Sequence, residues 1–133
     1  MKQKMPENYL FEYAVVRVVP RVEREEFLNA GVILYCAKLR YLKSISLLDE
    51  ERTRIFCRSI DLDEVGKHLQ AFVSICKGGN ESGPIGKLDP ASRFRWLTAT
   101  RSTVIQTSKV HPGFCTDPEE TLQRLFKQLV LVE

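Results

Sequence analysis

Two groups of residues carry the chemistry open to this chain. The first lies in "RVVPRVEREEFLNAG", where Arg17, Arg24, Glu26, Asn29 and Gly31 gather polar and charged groups between two apolar runs. The second lies in "RFRWLTATRSTVIQ", where Arg93, Arg95, Trp96, Arg101, Ser102 and Gln106 follow a glycine-rich run. Arginines beside hydroxyl groups and an indole plane are the residue types that clamp phosphate and stack on bases. The structural alternative makes Phe94 and Trp96 core residues, with the arginines extending their charged heads to the surface. Composition alone leaves both readings open, and favours the structural one.

In the first group, Arg17 stands inside an apolar run, where an unpaired guanidinium is expensive to bury. It is therefore expected either to reach solvent or to meet a carboxylate such as Glu26 across a hairpin. Asn29 is suited to hydrogen-bond a loop backbone, and Gly31 to mark a bulge or a close backbone approach. The bland reading of the same segment is a solvated connection whose arginines and glutamates pair with one another at little energetic consequence.

Most catalytic and metal-binding patterns are missing. No G-K-[ST] closes the glycine run before a helix, so the spacing is not that of a phosphate-binding P-loop. There is no G-x-S-x-G, H-E-x-x-H or dinucleotide fingerprint, and sequence gives no positive support to an enzyme. His68 and His111 read as structural; a nucleophile pair of Cys115 with His111 has little behind it. Cys36, Cys57, Cys76 and Cys115 are widely spaced, without a C-x-x-C pair or histidine cluster, and read as reduced thiols rather than zinc ligands or disulfides. No metal or cofactor is expected.

The 133 residues are enough for one domain, expected over 1–133. Twenty basic residues against 17 acidic give a net charge of +3, too balanced for an electrostatic signature of nucleic acid or anionic membrane. No run approaches the roughly 20 apolar residues of a membrane span, and the basic start "MKQKMPEN" leads into no signal-length apolar segment. A cytoplasmic location is the expectation.

The elements that must hold these residues follow from pattern. Residues 9–19 are aromatic and β-branched and stop at Pro20; 30–36 are apolar on both faces; 41–47 alternate. These predict three antiparallel strands in a meander, with a fourth over 103–110 ending before Pro112. Helices are expected near 49–58, near 62–77 with Asp61 as N-cap and Gly78 and Gly79 as stop, and near 117–131 with Asp117 as N-cap and Pro118 at the first position. Residues 77–89 read as a flexible glycine loop, and "PASRFRWLTA" as the start of a helical turn. The class is α+β: a small, mainly antiparallel sheet of about four strands with helices packed against it.

Taken together, "YAVVRVVPRVEREEFLNAGVILYC", "GPIG" and "RFRWLTATRSTVIQTSKVHPGFCTDPEETLQRLF", in that order, resemble the bacterial DUF3037 family of unknown function over nearly the whole chain. Arg17, Pro20, Arg24, Glu26, Phe27, Asn29, Gly31, Arg93, Trp96, Arg101, Ser102 and Gln106 occupy positions of that pattern. Glu25 stands where the pattern usually has glycine, which implies a less strained hairpin corner here. Thr100 stands where proline is frequent, so a rigid turn is not expected there. The resemblance brings no catalytic activity with it. It does imply a partner, because genes of this family often lie beside those of kinases resembling the HipA toxin. The expectation is a non-enzymatic accessory or regulatory protein binding a protein partner; the alternative is a nucleic-acid or phosphate-ligand binder using the arginines at 93–106.

Overall fold

The computed structural model describes residues 7–131; positions 1–6 and 132–133 of the expected domain lie outside the described residues. At its centre is β1 (Tyr9–Val18), whose aromatic and β-branched run is buried on both faces of a sheet. It is joined by a short 3-10 turn at Val22–Arg24 to β2 (Leu28–Cys36), and β2 turns tightly into β3 (Tyr41–Ser46). The pairings are antiparallel, giving the expected meander in the spatial order β3, β2, β1.

The other side of β1 is filled differently from expectation. Residues 103–110 do not make one strand. A three-residue strand, β4 (Ile105–Thr107), pairs with Val16–Val18, and a separate β5 (His111–Cys115) pairs with Tyr9–Tyr13. Between them, Ser108 keeps the ladder continuous: its backbone N–H donates to the carbonyl of Val15 at 2.8 Å, and its hydroxyl accepts from the Val15 N–H at 2.8 Å. The chain thus changes direction without orphaning the amide of a buried strand. Pro112, expected to lie beyond the strand, sits inside β5 opposite Glu12. An outer strand tolerates a residue with no N–H. The sheet has five strands rather than four.

Helices cover both faces. On one, α2 (Leu62–Lys77) and α4 (Pro90–Leu97) pack Val65, Leu69, Phe72, Cys76, Phe94 and Leu97 against Ala14, Val16, Val18, Ile33 and Tyr35. On the other, α5 (Pro118–Leu129) lays Leu122 and Leu125 on Val32, Leu34 and Cys36. The expected caps form: the Asp61 carboxylate accepts from the Glu64 N–H at 3.2 Å, and that of Asp117 from the N–H groups of Glu119 and Glu120 at 3.0 and 3.3 Å. A short α1 (Glu50–Phe56), capped by Asp49, follows β3.

The glycine run is folded rather than left as an open loop. It forms a 3-10 turn at Asn80–Ser82 and the short helix α3 (Gly83–Gly86), closed by the Gly79 N–H donating to the Gly86 carbonyl at 2.8 Å. Gly86 sits where a Cβ would fall 2.3 Å from that of Ser82, so this closure requires glycine.

Candidate functional site

At the corner between β1 and β2 the expected pairing of Arg17 with Glu26 does not form. Glu26 pairs instead with Arg24, two residues away and exposed. Arg17 extends over the ring of Phe27, its guanidinium carbon 3.8 Å from the centroid. Its Nε is buried and has no acceptor among the described residues, and burial lowers its pKa. Asn29 lies opposite Arg17 in register and donates its amide N–H to the carbonyl of Leu129 at the end of α5, 3.0 Å away. This contact ties the corner to a helix a hundred positions further along the chain.

Gly31 marks both features its type suggested. The β1–β2 register shifts beside it, Val16 facing Gly31 but Arg17 facing Asn29, so Ala30 is the extra residue of a bulge. A Cβ on Gly31 would lie 2.6 Å from the Ile45 carbonyl oxygen and 2.8 Å from the Ser46 hydroxyl of β3. Glu25, where the resemblance implied relief of strain, takes a left-handed conformation at φ 57°, ψ 16°. The corner is more strained for lack of glycine, not less.

The arginines of the second group are drawn apart. Arg93 lies against Gly78, where a Cβ would fall 2.7 Å from its guanidinium carbon, and donates to the Leu88 carbonyl at 2.6 Å; it holds the glycine segment to α4. Arg95 forms a two-pronged pair with Glu12 of β1, at 2.9 and 3.2 Å, and this partner holds its pKa above the ordinary value. Arg101 turns back over Trp96, its guanidinium carbon 4.3 Å from the ring centroid, and donates to the Trp96 carbonyl. That bond, where proline is absent, anchors the turn after α4. Trp96 itself is 39% exposed, while Phe94 is fully buried against Tyr35. Ser102 is exposed, and Gln106 donates to the Thr103 carbonyl at 3.0 Å.

The two groups meet at one point only. Arg17 of β1 stands between Asn29 of β2 and Gln106 of β4 in register across the sheet. The other members serve separate local structures. Beside Trp96 and Arg101, however, a cavity of about 160 Å³ opens between α2 and β4, with His68, Ile75 and Thr103 in its wall. The disfavoured Cys115–His111 pair does not form: four strand positions separate them, roughly 13 Å, with Cys115 buried and His111 exposed against Tyr13.

Sequence reading missed a larger cavity, about 310 Å³, at the same corner as Arg24 and Glu26. Arg21 joins them there, and the end of α1 supplies Phe56, Cys57, Arg58 and Ser59 from the opposite wall. Cys57 is only partly buried, with its sulfur 3.6 Å from the Ser59 hydroxyl oxygen. That hydroxyl, helped by the N–H groups of Ser59 and Ile60 and by the charge of Arg21, holds the thiol below its ordinary pKa against the opposing effect of burial. The other thiols are buried, and burial pushes Cys76 up to about 12. Among the described residues, no group of three or more His, Cys, Asp or Glu is placed to hold a metal ion.

An antiparallel sheet covered by helices on both faces, with Arg93, Arg95 and Arg101 each engaged in a local contact, defines a small α+β domain. The chain belongs to the family described as "Protein of unknown function (DUF3037)", whose model matches residues 13–130. No curated protein and no solved structure matches it.

Proposed function

We propose that this chain is a non-enzymatic accessory protein of the bacterial cytoplasm that binds a protein partner, the first to test being a HipA-like kinase encoded beside it. The observation that carries the reading is the Trp96–Arg101 pair: an exposed indole with a guanidinium on its face, next to an apolar-walled cavity. Tryptophan and arginine in such a setting are the residue types on which protein interfaces concentrate their energy. Nucleic-acid binding draws less support, because it needs several free cations along one surface. Arg93 is bonded to the Leu88 carbonyl, Arg95 to Glu12 and Arg101 to the Trp96 carbonyl, so the three guanidinium groups are each engaged locally rather than aligned along one surface. No described helix is long and apolar enough to cross a membrane.

The test is affinity purification of the tagged chain from its native cells, followed by coexpression with the neighbouring kinase. One kinase recovered in near-equal amount, with Trp96→Ala weakening binding by about 30-fold or more, is the expected result for an interface hot spot. No binding at micromolar concentration, or binding indifferent to Trp96→Ala and Arg101→Ala, removes the reading.

A further inference from the structure

The corner cavity combines a net positive lining with room for more than an ion. Of its three guanidinium groups, Arg24 is paired with Glu26, while Arg21 and Arg58 have no carboxylate within salt-bridge distance among the described residues. Two uncompensated charges therefore border one space, joined by the Ser59 hydroxyl. The carbonyl end of α1 adjoins the same space, but a helix end contributes only a partial charge of about half an electron. Two full charges outweigh it.

Size and lining narrow the choice of anion. A cavity of about 310 Å³ is at the lower end of the range of small-molecule sites and exceeds what a bare tetrahedral anion fills. Its walls include the ring of Phe56 and the pyrrolidine of Pro20, which suit an organic body rather than hydration water. A carboxylate offers two oxygens and one charge. A phosphate monoester offers three terminal oxygens and close to two charges at neutral pH, matching two unpaired guanidinium forks and a hydroxyl.

We infer that this cavity is a binding site for a small phosphate monoester, with Arg21, Arg58 and Ser59 on the phosphate and Phe56 and Pro20 against its organic part. The site stands apart from the Trp96 surface and does not depend on the partner reading. Arg24 and Glu26 frame it: their mutual pairing keeps the carboxylate from cancelling Arg21 or Arg58. Cys57 lies within the same wall and reports on occupancy, because a bound dianion disfavours its thiolate and shields its sulfur.

The experiment uses the full chain and follows alkylation of Cys57 by iodoacetamide, read by peptide mass spectrometry, in the presence of phenyl phosphate or inorganic phosphate at constant ionic strength. Saturating phenyl phosphate is expected to slow Cys57 modification on the order of tenfold, the effect of a one-unit rise in thiol pKa. Inorganic phosphate is expected to do the same at higher concentration. Within the Arg21→Ala/Arg58→Ala double variant, whose changes are at exposed positions, the added anion is expected to make no difference. Circular dichroism checks that this variant remains folded. Slowing matched by chloride at the same ionic strength, absent altogether, or retained in the double variant overturns the site; equal potency of the two phosphates overturns the assignment of an organic body.

Discussion

Arg17 rests its guanidinium on Phe27, 3.8 Å from the ring centroid, while Glu26, the carboxylate expected to meet it across the hairpin, turns to Arg24. An aromatic face has taken the place of a counter-ion. The exchange leaves Nε of Arg17 buried without an acceptor among the described residues. An unmet buried donor costs about 1–3 kcal/mol, and the cation–π contact returns about 0.5–1 kcal/mol.

Arg17→Met follows directly from that imbalance. Methionine keeps an apolar stem, can hold a sulfur against the Phe27 ring, and carries no donor to orphan. Stability is expected to rise by roughly 1 kcal/mol, measured by urea denaturation at pH 7. Arg17→Ala, which loses the stem and the stack together, should lower it. A methionine variant less stable than the parent would show that Nε is satisfied in solution.

Glu25→Gly should also stabilise. Glu25 sits at φ 57°, where an L-residue with a Cβ is strained by about 1–2 kcal/mol and glycine is not. Glycine's greater freedom in the unfolded chain takes part of this back, leaving a gain of about 0.5–1 kcal/mol. Glu25→Val, β-branched at the same backbone angle, should move the denaturation midpoint the other way. If both variants shift it in the same direction, the left-handed turn is not what the corner adopts.

How much of this was legible depends on how local each signal is. The caps at Asp61 and Asp117 are written within single helical turns, and the structure places them where the pattern put them. Gly31 was readable because a glycine in a strand has few explanations. The split of β4 from β5 was not, since it depends on Ser108 meeting Val15 from 93 positions away. Arg95 with Glu12 is the same kind of case, at a separation of 83. The full reach of α4 was hidden by "RFRW", whose charges alternate with aromatics until one knows that only Phe94 faces the core. The corner cavity was invisible because half its wall comes from the end of α1, beyond an entire hairpin.

Gly31→Ala is expected to destabilise by about 1–3 kcal/mol. The added methyl would meet a backbone carbonyl, that of Ile45 at 2.6 Å, which cannot swing aside as a side chain can. Thermal unfolding of the purified variant reads the effect. A loss under about 0.5 kcal/mol, the level of an ordinary surface change, would mean that β3 lies further from β2 than described.

Acid sensitivity should reside in Glu119. In the first turn of α5, it accepts hydrogen bonds from Lys43 at 2.8 Å and from the Tyr41 hydroxyl, and Lys43 first, then Tyr41, hold its pKa down to about 2. A carboxylate whose folded pKa lies below its unfolded value of 4.5 stabilises fully above 4.5, and that contribution disappears as pH falls towards about 2. The side chain is 45% exposed, so solvent screening limits the effect to about 1 kcal/mol or less. Glu119→Gln should therefore be less stable than the parent at pH 7, with the two stabilities converging between pH 4.5 and pH 2. Parallel curves across that window would count against the triad of Tyr41, Lys43 and Glu119.

The position of β1 at the middle of the sheet sets a timetable for the ribosome. One flank of this strand is closed by β2, made within the next twenty or so residues, while the other waits for Ile105–Thr107 and His111–Cys115. Tyr9 finds its partner Cys115 only after 106 further residues have been synthesised, taking 115 minus 9. Through most of translation the nascent chain thus carries an apolar strand with one open hydrogen-bonding side, a template for mispairing with neighbours. Release from that hazard comes late and nearly at once, when the segment around Ser108 docks and the closing helix follows it within a few residues. Such long-range closure also places the domain among the slower folders for its size.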